Sequence, residues 1–248
     1  MDKNSLSLFL KKIEWRLVAK IAFVALALLW AWGSDFAAIP LILFGIAPAI
    51  VYFSESPERR HFRASFWLMS LTALIGMMMV RGGEGVSFAS LLIILFFAAG
   101  VAVEVGLFRF FFRSRSVVFG VLHIALMMAM FSIFFALPLS LFSTLFLLVS
   151  LSFLLREFFA LLNIPWRGRA LLMSIALSFF GVELALLLRF TPLGFVNASA
   201  FMGLLMLLTR DAARAHFEGT LDLSFILRGL IIFLVMSVAI FSVSVWGI

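Results

Sequence analysis

The run LLIILFFAAGVAV, residues 91–103, contains no charged or strongly polar side chain and no alternation of polar with apolar positions. A strand with one wet face alternates with a period of two, and so do the strands of a transmembrane barrel. A continuous apolar run of this length is instead a helix surrounded by apolar material. Extended from beyond Gly85 to the basic cluster that begins at Arg109, and taking in Glu104, it covers 87–107, about the 20 residues that cross a hydrocarbon core of about 30 Å.

Working outward between charges and prolines, the same criterion predicts nine spans: 17–33, 37–53, 64–80, 87–107, 117–136, 139–155, 170–189, 193–209 and 226–247. Composition agrees. Of 248 residues, 65% are hydrophobic and 12% charged, with 32 phenylalanines and a mean hydropathy of +1.23, whereas a soluble domain carries about 25% charge. A soluble globule, a disordered chain, collagen and a disulfide scaffold are excluded. The expected fold is all-α, a single polytopic transmembrane bundle occupying residues 1–248.

With the N-terminus inside, the inner segments hold Lys3, Lys11, Lys12, Arg16, Lys20, Arg59, Arg60, Arg63, Arg109, Arg113, Arg115, Arg156, Arg167, Arg169, Arg210, Arg214 and Arg228. That is 17 of the 19 basic residues, leaving Arg81 and Arg189 outside, so the positive-inside rule predicts N-in and, with nine spans, C-out. Trp15, Trp67 and Trp166 fall at inner span ends, and Trp30, Trp32 and Trp246 at outer ones, the headgroup level that tryptophan prefers. The net charge of +7 is explained by loops facing anionic headgroups, so no nucleic-acid partner is expected.

The first span also has a signal-peptide reading, because Ala31 and Gly33 imitate a small-residue cleavage site. Its length and the bulky Trp30 and Trp32 favour a retained anchor. Cysteine is absent, which removes disulfides, thiol catalysis and thiolate metal sites. Three inner connections invite local readings. Residues 155–169 place Phe158, Leu161 and Leu162 at helical spacing, predicting an amphipathic extension that reaches Pro165 along the interface. Residues 209–224 read as a solvated loop, broken at Gly219, with Asp222 or Ser224 capping the last helix. In the second span, Pro40, Gly45 and Pro48 predict either a kink or a broken-helix site.

An ionisable group within a span costs at least about 2.5–3.5 kcal/mol and needs a partner. Glu104 on the fourth span and His123 on the fifth lie at matching depth, predicting a hydrogen bond between neighbouring helices that acts as a latch or a proton relay. Glu183 on the seventh span lies near the level of Asn197 on the eighth, predicting a second contact in which Ser199 or water takes part. Glu183 then serves the bundle, a solute pathway or a partner protein. Arg109, Arg113, Arg115, Arg167 and Arg169 are candidate contacts for lipid headgroups. Ala98, Ala102 and Gly106, at four-residue spacing, predict a close helix approach on the fourth span. No zinc-protease motif, cysteine set or assembled nucleophile and base is present, so neither metal nor cofactor is expected.

From Glu183 the sequence runs ELALLLRFTPLGFVNASAFMGLLMLLTRD, then HFEGTLD at 216–222, and ends in an apolar span with Trp246. This resembles uncharacterised multi-pass membrane proteins of small-genome bacterial candidate phyla, with Glu183, Pro192, Gly194, Asn197, His216, Glu218 and Trp246 as the matching positions. The resemblance covers about the last 65 residues and implies a bacterial cytoplasmic-membrane protein without a known activity. Minimal loops and sparse polar groups favour a non-enzymatic membrane component: a subunit or assembly partner of a complex, or a homo-oligomer. A small permease using Glu183, Asn197, Glu104 and His123 is the alternative, and an intramembrane enzyme acting on lipid the third reading.

Overall fold

A computed structural model describes residues 15–54, 63–80, 88–105, 115–161 and 167–246, and among them it is all-helical. The nine helices are α1 (Trp15–Gly33), α2 (Ala38–Ser54), α3 (Arg63–Val80), α4 (Phe88–Val105), α5 (Arg115–Ala136), α6 (Leu141–Leu161), α7 (Arg167–Leu188), α8 (Phe195–Glu218) and α9 (Leu223–Trp246). Each overlies one of the apolar runs found in the sequence. Five of them, α1, α5, α6, α7 and α9, are long and apolar enough to cross a membrane. Helices α2, α3 and α4 have shorter apolar lengths, and α8 turns from apolar to charged at Arg210, Asp211, Arg214 and Glu218.

The chain divides into two units, Met1–Val118 and Phe119–Ile248, with the boundary in the first turn of α5. In the first unit α1 packs between α2 and α4, and α3 packs on α4. The buried face of α1 is Leu17, Val24, Leu28 and Ala31, separations of seven, four and three that keep one stripe turned inward. Phe44 of α2 meets Phe97 of α4 at 5.9 Å. Tyr52, Phe66 and Trp67 form an aromatic cluster where α2 ends and α3 begins.

The α2 helix runs without interruption through Pro48, so among the described residues the second span is continuous and not a broken-helix site. The α1–α2 turn is a Schellman closure: Phe36 N–H donates to Ala31 O (2.7 Å) and Asp35 N–H to Trp32 O (3.1 Å). It holds Asp35 and Phe36 at φ 58° and 55°, a left-handed pair that glycine would adopt more readily. The close approach on α4 is made by Gly100, whose missing Cβ leaves room for the Met69 side chain of α3. Ala98 and Ala102 are only half-buried, and Gly106 lies outside the described residues.

In the second unit α6 packs along α7, α7 on α8, and α8 on α9. The inward stripe of α7 is small: Ala170, Ser174, Ser178, Gly181 and Ala185. Without a hydrophobic drive between helices in lipid, small faces of this kind let backbones approach and gain dispersion contacts. Ser178 and Ser174 return their hydroxyls to carbonyls of their own helix, Ser174 O (2.6 Å) and Leu171 O (2.8 Å). Within the unit, α5 is touched by α6, α7 and α8 through His123, Phe134 and Ser132 respectively.

The α5–α8 contact has two tiers one helical turn apart. Ser132 Oγ donates to Ser199 Oγ at 2.9 Å, and Gly203 faces Met128, whose Cγ would lie 2.5 Å from an added Cβ. Gly181 is different, because its nearest neighbour is the Met206 sulfur at 2.8 Å, near the end of a flexible side chain. Gly203→Ala should therefore lower stability by about 1–3 kcal/mol through overpacking, and Gly181→Ala by clearly less. Thermal unfolding in detergent checks the order; equal losses would contradict the close α5–α8 approach.

Candidate functional site

One end of the second unit gathers all of its basic residues but Arg189, since α5, α7 and α9 begin there and α6 and α8 end there. The sequence reading ends the eighth span at residue 209 and continues as a solvated loop, but the helix persists to Glu218. Gly219, at φ 69°, stops it: its N–H reaches His216 O and that of Thr220 reaches Ala215 O. Asp222 then caps α9, its Oδ1 accepting Phe225 N–H at 2.7 Å. The extra turns matter because they carry Arg210 inward. Its side chain is 6% exposed, and its guanidinium carbon lies 4.1 Å from the centre of the Phe158 ring, within cation–π range.

Phe158 belongs to the stretch that the sequence assigns to an interfacial extension. The helix does run on, to Leu161, and Phe158 is buried. His123 of α5 approaches the same ring edge-on, with centroids 6.5 Å apart, and Phe159 meets Phe217 of α8 at 5.7 Å. The result is a three-helix node: imidazole, phenyl ring, guanidinium. Arg210 Nε and Nη2 donate to Asp211 Oδ1 at 3.0 and 2.9 Å, while buried Nη1 has no hydrogen-bond partner among the described residues. Glu157 is also buried beside Phe158.

His123 Nδ1 bonds Phe119 O at 2.7 Å; a carbonyl only accepts, so Nδ1 carries the proton. The expected partner, Glu104, sits in the last turn of α4, and its side chain lies outside the described residues. Glu183 and Asn197 are not joined by a hydrogen bond among the described residues. Glu183 is exposed on α7 and Asn197 half-buried on α8. Ser199 is committed elsewhere, receiving Ser132 and donating to Val196 O at 2.8 Å. The sequence places these residues at one depth, but depth does not fix azimuth, and the stripe Leu172, Phe179, Glu183, Leu187 turns away from the small inward face.

Of the candidate headgroup contacts, Arg109 and Arg113 lie outside the described residues, as do the side chains of Arg115 and Arg167. Arg169 is exposed and, with His216, Phe217, Leu172, Met173 and Ala176, lines a cavity of about 460 Å3 between α7 and α8. No cluster of three or more metal-ligating side chains occurs among the described residues. Arg189 is a residue whose role the sequence does not reveal. Its Nη1 donates to Phe134 O at 2.8 Å and its Nη2 to Leu137 O, so a cation from α7 closes the carbonyl end of α5, where the helix dipole favours it. No protein family, curated protein or solved structure matches this chain.

Two substitutions test this geometry. Arg189→Ala should lower stability by about 1–3 kcal/mol, the range for hydrogen bonds to a charged group. Arg189→Lys should restore only part of that, because an ammonium cannot fork to two carbonyls. A double-mutant cycle between Phe158→Leu and Arg210→Met should give a coupling of about 0.5–2 kcal/mol; additive losses would mean that the stack contributes nothing.

Proposed function

We propose that this protein is a non-enzymatic polytopic subunit of a larger membrane complex, with Glu183 as its intramembrane contact to a partner. The observation that carries the proposal is the exposure of Glu183 within an apolar stripe of α7, between Phe179 (51% exposed) and Leu187 (65%). It lies six residues inside Arg189, about 9 Å along the helix axis. A carboxylate facing hydrocarbon is unfavourable by a few kcal/mol. A donor on another protein offsets that penalty, whereas a solute path would require the carboxylate to face the bundle interior.

The same proposal sets the chain in a bacterial cytoplasmic membrane as nine spans, N-in and C-out. Support comes from the distribution of basic residues along the sequence and from the resemblance of its last 65 or so residues to bacterial multi-pass proteins. Because the chain has no cysteine, single-cysteine labelling needs no prior engineering. A cysteine at Thr191 should react with an impermeant maleimide on intact cells, and one at Arg214 only after permeabilisation; the reverse pattern would overturn the orientation.

The subunit reading is tested by mild-detergent purification from the native membrane, followed by native mass determination. A stoichiometric partner is expected, and Glu183→Gln should reduce its recovery by about tenfold or more, as removal of a desolvated charge does. A lone chain with wild-type Glu183 would contradict the reading.

A further inference from the structure

Helix α9 is the least enclosed of the five long apolar helices, with 6% of its span buried, and it packs on α8. The two helices do not close completely. Between them lies a groove of about 410 Å3 walled by Leu205, Leu208, Phe225, Ile232 and Phe233, a volume within the range of about 300–1,000 Å3 typical of small-molecule sites. Gly229 borders open space in it: a Cβ there would meet only Leu208 Cδ2, at 3.9 Å. Thr209, Asp211 and Arg228 line the same groove at the basic end of the unit.

Among the described residues, the carboxylates around the groove are engaged by groups other than Arg228, although Asp211 lines it too. Asp211 Oδ1 is held by Arg210, Glu218 by Arg214 at 2.8 Å, and Asp222 Oδ1 caps α9. The α8 carboxylates nearest the groove are thus engaged by α8's own arginines. Arg228 is exposed five residues into α9, within the apolar run FILRGLII, and among the described residues its guanidinium makes no hydrogen bond or ion pair. A cation without a counter-ion, set on an apolar groove, is complementary to an amphiphile with an anionic head.

We propose that the α8–α9 groove binds one phospholipid, with the phosphate on Arg228 and an acyl chain lying between Leu205, Leu208 and Phe233. The apolar walls select a lipid over a soluble phosphate, and the free guanidinium selects a phosphate-bearing lipid over an uncharged one. This goes beyond the subunit reading and holds whether or not a partner binds Glu183.

Native mass spectrometry of the full chain, released from nanodiscs of phosphatidylglycerol or phosphatidylethanolamine, tests the site. The wild type should retain one phospholipid. Arg228→Gln should reduce the retained fraction about fivefold, the effect of one basic side chain at a lipid surface, and Arg228→Lys should restore much of it. Gly229→Phe, which fills the groove, should abolish retention, and Arg214→Gln should leave it unchanged. Equal retention in all variants, equal loss with Arg214→Gln and Arg228→Gln, occupation by a protein segment, or displacement by inorganic phosphate alone would each overturn the proposal.

Discussion

In hydrocarbon no water receives a backbone or side-chain dipole, so each polar group must find its partner within the protein. That constraint organises what is seen in both units. Ser70, Thr72, Ser174, Ser178 and Thr209 donate to carbonyls on their own helices, leaving apolar side chains to face outward. Some polar groups also join elements: Ser132 to Ser199 between α5 and α8, and Arg189 to the end of α5. The helix ends obey the same rule. Ser140 and Ser143 exchange backbone and hydroxyl bonds at the start of α6, a reciprocal capping box.

Packing follows from the absence of a hydrophobic drive between helices in lipid. On α9 bulk faces outward, as in Leu230, Ile231, Leu234 and Val235, and the closest approaches between helices are made at small residues. Gly203 against Met128 and Gly100 against Met69 are the tightest cases, and in both a methionine fills the space that glycine leaves. Its unbranched, polarisable side chain adapts to an irregular gap. The basic end of the second unit departs from this pattern. There Arg210 is buried on Phe158, next to His123, and the carboxylate of Asp211 together with the aromatic face replaces solvent.

Much of this was legible in the sequence. The helix class and the positions of the nine helices follow from unbroken apolar runs, and the stop at Gly219 and the cap at Asp222 follow from local chemistry. One helix end lies further on than the sequence places it: Arg210 looks like a loop residue by hydropathy, yet α8 passes through it to Glu218, whereas the helical run past Arg156 is the expected one and extends to Leu161. The aromatic ring that makes burial of Arg210 tolerable stands on another helix, 52 residues away in sequence. The direction in which a residue faces was not legible: among the described residues Glu183 and Asn197 share no hydrogen bond, Glu183 being exposed on α7, and the inward serines of α7 gain their meaning from α6 packed along that helix.

Most of the buried hydroxyls of this helical protein are satisfied on their own helices, and the outward α7 face carries Glu183, which makes no hydrogen bond or ion pair among the described residues. The central claim is that this face is an interface with another protein. A photo-crosslinking residue at Leu187, next to Glu183 on the exposed stripe, activated in the native membrane, reports directly on what lies there. The account predicts one protein adduct of discrete mass, lost when Glu183 is changed to Gln. Adducts with lipid alone, or a protein adduct indifferent to Glu183, would contradict it.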